Sequence, residues 1–437
     1  MKSFTRFFVA GVHPHGMKSL SAETPIERCP APKRVYIALS QGVGKPSHPV
    51  VEVGDTVKMG RLIAKADGPV SANLFASVSG KVAEIAPYTD TAGNQSRHIV
   101  IDNDGLDTAE KPFTPLLNPQ PEEIVKRVSD AGIVGMGGAG FPTHVKLTPK
   151  KRIDVYIVNA AECEPYITCD YRLLTEYAEQ VVEGAFLLAA AVGVTKVCFG
   201  IEADKLRAIE ALKRYKAEKN LHNLTVVPLK TRYPQGAEKQ LIYAVTRRRV
   251  PSGGLPMDCG AIVGNTHTAL SAYYAVREGK PLYERVMTVS GKGIRKPSNL
   301  WVRNGTRYGD IAEACGGELN NTAKILNGGP MMGASQISRD IAVTKTTGSL
   351  LFLTKDEFVV ATSSPCINCG KCGRACPMRL MPMYIDSFAL AGDYSGSKKY
   401  GALECIECGC CSYICPANRY LVQSVKLAKK KIKELGL

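Results

Sequence analysis

Two runs near the carboxyl end decide how this chain is read: Cys366-Ile367-Asn368-Cys369-Gly370-Lys371-Cys372-Gly373-Arg374-Ala375-Cys376-Pro377 and Cys405-Ile406-Glu407-Cys408-Gly409-Cys410-Cys411-Ser412-Tyr413-Ile414-Cys415-Pro416. Each has the form C-x2-C-x2-C-x3-C-P. Three thiolates at this spacing wrap three irons of a [4Fe–4S] cube, and the fourth, ahead of proline, ligates the neighbouring cluster. The crossed pattern predicts one cluster on Cys366, Cys369, Cys372 and Cys415, and a second on Cys405, Cys408, Cys411 and Cys376. Gly370, Gly373 and Gly409 allow the backbone to turn its N–H groups toward sulfur. Zinc is the competing reading, but four-cysteine zinc sites use C-x2-C pairs separated by a longer loop. Cys410 falls between ligands and reads as a bystander. Cys29, Cys163, Cys169, Cys198, Cys259 and Cys315 lack ligand spacing and read as buried free thiols.

The sequence has 437 residues, too many for one hydrophobic core, so several domains are expected. Its 15 cysteines do not make it a disulfide-stapled secreted protein, because eight belong to the two runs and the chain is long. Clusters and free thiols imply a reducing compartment. The amino-terminal stretch from Met1 to Gly11 is too short in apolar residues for a signal sequence, and the run from Gly184 to Val194 is too short for a membrane span. The net charge of +16 is dispersed, with local density at Arg247 to Arg249 and over Lys426 to Lys433. No nucleic-acid-reading motif accompanies it, so acidic redox partners or an anionic membrane face fit better.

Along the chain, residues 1–112 are rich in Val, Gly and alternating strands around Val51 to Gly60 and Ser77 to Val82. They resemble the barrel-sandwich of lipoyl and biotinyl carriers. The turn that would present a carrier lysine reads Val70-Ser71-Ala72-Asn73-Leu74-Phe75, so a structural domain is expected. After a proline-marked linker, Pro121-Glu122-Glu123 opens a helix that Gly132 ends. Residues 113–282 then alternate strands (155–158, 196–200, 224–229) with helices (171–192, 204–219), the pattern of a largely parallel α/β sheet. Residues 283–354 form a smaller unit with a helix over 308–314. A ferredoxin-like domain over 355–425 and a basic helical tail over 426–437 come last. Val425, Leu427, Ile432 and Leu435 give that tail an amphipathic pattern suited to docking on a membrane or a partner protein.

Gly135-Met136-Gly137-Gly138-Ala139-Gly140-Phe141-Pro142-Thr143 matches G-x-G-x-x-G, but a dinucleotide fingerprint follows a strand and opens a helix. Here a helix precedes it and Pro142 interrupts the segment after it. The glycines still expose successive N–H groups as an anion nest, with Lys146 close by.

Gly137 to Thr143 with Lys146 resembles the flavin loop of the NADH-binding, FMN-containing subunit of respiratory complex I. Asn159-Ala160-Ala161-Glu162-Cys163-Glu164-Pro165, Gly236-Ala237-Glu238 and Asn265-Thr266-His267-Thr268 resemble three further motifs of that protein, with Ala161 and Ala237 in place of acids and Cys163 in place of serine. Residues 286–320 look like its soluble-ligand-binding β-grasp (SLBB) module. From Gly11-Val12-His13-Pro14 to the second cysteine run, the whole chain resembles the RnfC family, the C component of the ion-translocating ferredoxin:NAD+ oxidoreductase (Rnf) complex.

The resemblance implies a multidomain α/β plus β protein. Its parts are an N-terminal barrel-sandwich, a Rossmann-like α/β domain for FMN and NADH, an SLBB β-grasp module and a C-terminal bacterial-type 2[4Fe–4S] ferredoxin domain. It implies non-covalent FMN on Gly137, Gly138, Gly140, Lys146, Asn159, Asn265 and Thr268, with Phe141 stacked on the NADH adenine. Glu162, Glu164 and Glu238 would border the nicotinamide and its ribose. NAD(H) exchanges two electrons as hydride and the clusters take one at a time, so flavin is the converter. The partners implied are Rnf-type membrane subunits and a ferredoxin-like cluster subunit, at the cytoplasmic face of a bacterial membrane. A microcompartment cobalamin reductase with the same cofactors, and a non-catalytic electron-transfer scaffold, are the alternatives.

Overall fold

The computed structural model describes Phe8 and residues 10–358 and 360–437. Apart from Phe8, Ala10 and Gly11, the amino-terminal stretch considered for a signal sequence lies outside the described residues.

The central sheet is parallel, in the order Leu224–Leu229, Val197–Glu202, Val155–Ala160, Ala261–Asn265. Its strands are apolar on both faces, as a sheet covered by helices on both sides requires. Side chains alternate along Val155–Ala160. Tyr156 and Val158 join the core built with the helices Pro121–Asp130, Ala178–Ala190 and Thr266–Arg277. Val155 and Ile157 face Leu241, Ile242 and Val245 of the helix Glu238–Thr246. Burying each such side chain contributes roughly 1.5–3 kcal/mol before the entropy of ordering it is counted. The segment 171–192, expected as one helix, is two: Cys169–Glu176 and Ala178–Ala190, broken at Tyr177, whose ring meets Trp301 edge-on at 6.1 Å. Gly184 lets the second of these touch the helix Thr266–Arg277, since a Cβ there would lie 1.9 Å from the Ala269 carbonyl oxygen.

The barrel-sandwich has a four-stranded antiparallel sheet (Arg34–Ala38, Gln95–Asn103, Gly80–Thr89, Thr56–Val57) facing three short strands (His48–Pro49, Leu62–Lys65, Leu74–Phe75). Val35 and Ile37 pair with Ile101 and Ile99, and all four turn inward onto Ile63 and Leu74.

The β-grasp unit is a six-stranded sheet around the helix Tyr308–Ala314. Its edge strand is Ile26–Arg28, paired in parallel with Asn299–Trp301. Residues 26–28 therefore belong to this sheet, where the sequence suggested one domain over 1–112. The cluster domain carries its ferredoxin-like cysteine spacing on loops and helices. Its last helix, Leu421–Glu434, begins ahead of the expected tail boundary. Val425 and Ile432 of that helix are buried with Ile385, Ala389 and Ala402, while Leu427 and Leu435 stay exposed. Half of the amphipathic pattern is thus spent inside the chain, on the cluster domain itself. Among the described residues no helix is long and apolar enough to cross a membrane.

Candidate functional site

The carboxyl ends of the parallel strands set the site, where ligands of open α/β sheets bind. Ahead of the glycine-rich loop, the helix Pro121–Asp130 stops at Gly132, whose φ is +67°. The loop closes on itself, with Gly135 N donating to Phe141 O at 2.8 Å, and leaves Gly137, Gly138 and Ala139 exposed. Thr268 is buried and fixes the loop backbone. Its hydroxyl accepts from Met136 N at 3.0 Å and donates to Val134 O at 3.2 Å. One turn earlier on that helix, the Asn265 side chain stands against Gly137, where a Cβ would meet its Nδ2 at 2.8 Å. Asn265 Oδ1 caps the helix by accepting from His267 N, and its Nδ2 donates to Asp170 at 2.7 Å. Gly138 is open on its outer side.

Lys146 is half-buried at the end of the helix Thr143–Lys146. Its Nζ has only long partners, Glu238 Oε1 at 3.4 Å and Val263 O at 3.5 Å. Asn159 donates to Gly236 O at 2.7 Å, and its Oδ1 accepts from Ala161 N at 3.2 Å, which joins the second and third motifs. Open glycine backbone, an under-committed ammonium and two fixed amides suit a phosphate-bearing planar cofactor such as FMN. Phe141 is partly exposed beside the loop.

Two of the acids are engaged by neighbouring backbone. Glu162 accepts from Asp170 N at 2.7 Å and Tyr171 N at 3.4 Å, so its buried carboxylate serves the amino end of the helix Cys169–Glu176. Glu164 is enclosed by Gly329, Met331 and Tyr233: its Oε2 accepts from Met331 N at 3.2 Å, and burial pushes its carboxyl up to about 7. Glu238 opens the helix Glu238–Thr246 and keeps its pairing with Lys146 in view of solvent.

The eight run cysteines gather into two hollows. One, of about 380 Å³ with the space that opens to solvent included, is lined by Cys376, Cys405, Cys408 and Cys411, with Cys410 beside them. The other, of about 360 Å³, is lined by Cys366, Cys369, Cys372 and Cys415. In the first, burial and the neighbouring sulfurs push Cys405 up to about 11 and Cys411 up to about 12. Hydrogen bonding to Cys410 instead lowers Cys408, so the hollow joins one eased thiol to three burial-raised ones, Cys376, Cys405 and Cys411, which iron would draw into the thiolate form. The first hollow is the inner one. Tyr233, buried at a strand end of the α/β domain, donates its hydroxyl to Cys408 O at 2.7 Å and lies 3.4 Å from Glu164 Oε1. Val12 N donates to Tyr233 O and Gly11 N to Ala375 O, so the Gly11-Val12 motif forms the seam between the two domains. At the second hollow Cys366 and Cys369 are exposed.

Four family models match in succession: the RnfC Barrel sandwich hybrid domain over 6–106, the Nuo51 FMN-binding domain over 128–274, the SLBB domain over 286–335 and the 4Fe-4S dicluster domain over 358–416. The chain is 44% identical over 436 residues to the C component of the proton-translocating ferredoxin:NAD(+) oxidoreductase complex of Clostridium ljungdahlii, covering 98% of this chain and 94% of that one. It is 44% identical to the Na(+)-translocating counterpart of Acetobacterium woodii (97% of each chain), and 44% identical to the C component of the ion-translocating oxidoreductase complex of Rhodobacter capsulatus (97% and 83%). The chain belongs to the RnfC family.

In this RnfC chain three participants escape motif reading. Asp170 faces Asn265 and Glu162 at the base of the glycine loop, and burial, then Glu162, push its carboxyl upward. A lone Asp in a helix's first turn reads as ordinary capping, so the sequence carries no distinguishing signal. Tyr233 connects the strand ends to the inner cysteines, and Gln41 to Val43 touch the glycine loop from another domain.

Proposed function

We propose that this RnfC chain is the NAD(H)-handling electron-transfer subunit of a membrane complex that reversibly couples oxidation of reduced ferredoxin to reduction of NAD+. The observation that carries the reading is the presence, in one chain, of a glycine-loop cradle and of a four-cysteine hollow that Tyr233 ties to the domain bearing the cradle. FMN, when bound, converts between the two-electron chemistry of NAD(H) and the one-electron chemistry of the clusters. Gly137, Gly138 and Gly140 would present loop backbone to it, and Lys146, Asn159 and Asn265 would meet it with charge and amides. Thr268 holds the loop rather than the ligand, and Phe141 offers an aromatic face for the adenine. Glu238 stands where it can accept from a ribose hydroxyl. Glu162 and Glu164 act behind the site, the first on a helix end and the second toward Tyr233. The inner cluster would be held by Cys376, Cys405, Cys408 and Cys411, the outer by Cys366, Cys369, Cys372 and Cys415. The exposed outer site is the one that a cluster-bearing partner protein can approach.

As a peripheral subunit at the cytoplasmic membrane face, the chain would leave ion translocation to membrane partners. The relatives are named for protons in one case and Na+ in another, so the coupling ion belongs with those partners. Neither a cobalamin reductase nor a non-catalytic scaffold is favoured, since the chain matches ferredoxin-linked relatives over nearly its full length and retains the loop, Lys146 and Asn265. The test is anaerobic purification of the full chain: a flavin spectrum, two cluster signals by EPR and NADH:ferricyanide activity are expected. A preparation with clusters but neither flavin nor NADH activity after reconstitution with FMN would overturn the reading.

A further inference from the structure

The barrel-sandwich resembles carrier domains but has no carrier lysine, and the electron path proposed above gives it no task. It packs on the β-grasp unit, with Tyr36 N donating to Gly305 O at 2.8 Å and Ser77 to Asn304 O at 2.6 Å, and it also meets the flavin cradle at two places. The Gln41-Gly42-Val43 turn lies directly against the glycine-rich loop. Val43 N donates to Ala139 O at 2.8 Å. A Cβ on Gly42 would lie 2.9 Å from Ala139 O, from Gly140 Cα and from Gly140 O, and a Cβ on Gly140 would lie 2.9 Å from Gly42 Cα. Two glycines thus meet backbone to backbone, at a separation no side chain allows. The second contact comes from the turn where a carrier would present its lysine. There, Asn73 Nδ2 donates to Asp130 O at 3.0 Å, at the end of the helix that feeds the glycine loop. Its carbonyl oxygen accepts from Lys345 Nζ at 2.6 Å, and Lys345 also donates to Gly132 O at 2.7 Å. Lys345 is fully buried, and its backbone N–H donates to Gln41 Oε1 at 3.0 Å.

We propose that the barrel-sandwich is the fixed wall of the nucleotide site, its Gln41–Val43 turn and Asn73 clamping the glycine-rich loop in the shape that receives flavin. The inference rests on the flavin cradle proposed above. Gly42, Gln41 and Asn73 are positioning residues. An anion nest works only if its N–H groups converge before the ligand arrives, and a glycine-rich loop left to itself is the segment with most conformational freedom to lose. Gripping Ala139–Gly140 from outside removes that freedom in advance. The old carrier turn becomes a wedge at the loop's root rather than a swinging arm.

The experiment compares full-length variants on the ratio of bound FMN to cluster iron, on retention of FMN during dilution and on the KM for NADH. Gly42→Val should weaken FMN retention by at least about tenfold, because its side chain can enter only by displacing the loop backbone. Both cluster EPR signals should persist. Gly93→Ala is the control. It strains a turn of the same domain, at φ +85°, but its Cβ would face open space, and FMN content should match the parent. If Gly42→Val fails to accumulate with clusters, Gln41→Ala carries the test, with an expected loss of about threefold. A parent chain that binds no FMN would overturn the cradle and the clamp together. Loss of FMN in Lys146→Ala but parental FMN retention in Gly42→Val, or in Gln41→Ala where that variant carries the test, would overturn the clamp alone. Equal losses in Gly42→Val and Gly93→Ala would also overturn it, by reducing the effect to domain stability.

Discussion

The inner cysteine hollow draws its thiols from positions 376 to 411, within one small helical domain, whereas the glycine-loop cradle takes contacts from Gln41, Asn159, Gly236, Asn265 and Lys345. The first is a local object, since soft ligands at fixed short spacings suffice to wrap a cluster. The second is a tertiary object, a flexible loop whose shape is imposed by three separate parts of the chain. A local site should fail alone when damaged, and a shared one should respond to changes far away in sequence.

The sharpest break of that comparison is Cys411→Ser. It should cut bound iron by about half while FMN stays at parental content, measured by iron and flavin assay on one sample. Parallel loss of flavin would mean the two sites fold as one. The next largest effect concerns Lys345, which burial holds down to about 7 from an ordinary 10.5. A neutral amine has two N–H donors, matching the carbonyls of Asn73 and Gly132. Between about pH 7 and 10.5 the unfolded chain keeps a proton that the folded chain has released. Stability should therefore rise with pH across that window, by a few kcal/mol in all, and be flat in this respect below it. Denaturant unfolding of the parent against Lys345→Met should show that slope in the parent only. A smaller change is expected from Lys146→Ala, which should weaken FMN retention by about ten- to a hundredfold with both cluster signals intact. The smallest is Tyr233→Phe, which removes the donor to Cys408 O at the seam and should cost about 1 kcal/mol by denaturant unfolding, with iron and flavin contents retained.

The same contrast explains what the sequence made legible. The cysteine runs, the strands Val155–Ala160 and Leu224–Leu229, and the helices Pro121–Asp130 and Tyr308–Ala314 are written in local spacing and periodicity, and they stand where the residues put them. The break at Tyr177 was hidden because its neighbour Trp301 is remote in sequence. The carboxyl-terminal helix had the right period, but the partner of its apolar face, Ile385 and Ala389, could not be read from the helix itself. Glu162 and Glu164 looked alike on either side of Cys163. Only the fold separates a carboxylate that caps a helix from one enclosed beside Tyr233. Asp170, Tyr233 and Gln41 each bond to a residue 95 or more positions away, a distance no motif spans.

The edge strand Ile26–Arg28 sets a timetable for synthesis. It leaves the ribosome early, yet its parallel partner, Asn299–Trp301, emerges only after the barrel-sandwich and the whole α/β domain. At ordinary translation rates that delay is on the order of tens of seconds. Over that interval the short strand waits without its ladder partner. Its three residues include Glu27 and Arg28, charges of the kind that keep a waiting strand from pairing with a neighbour on the same polysome.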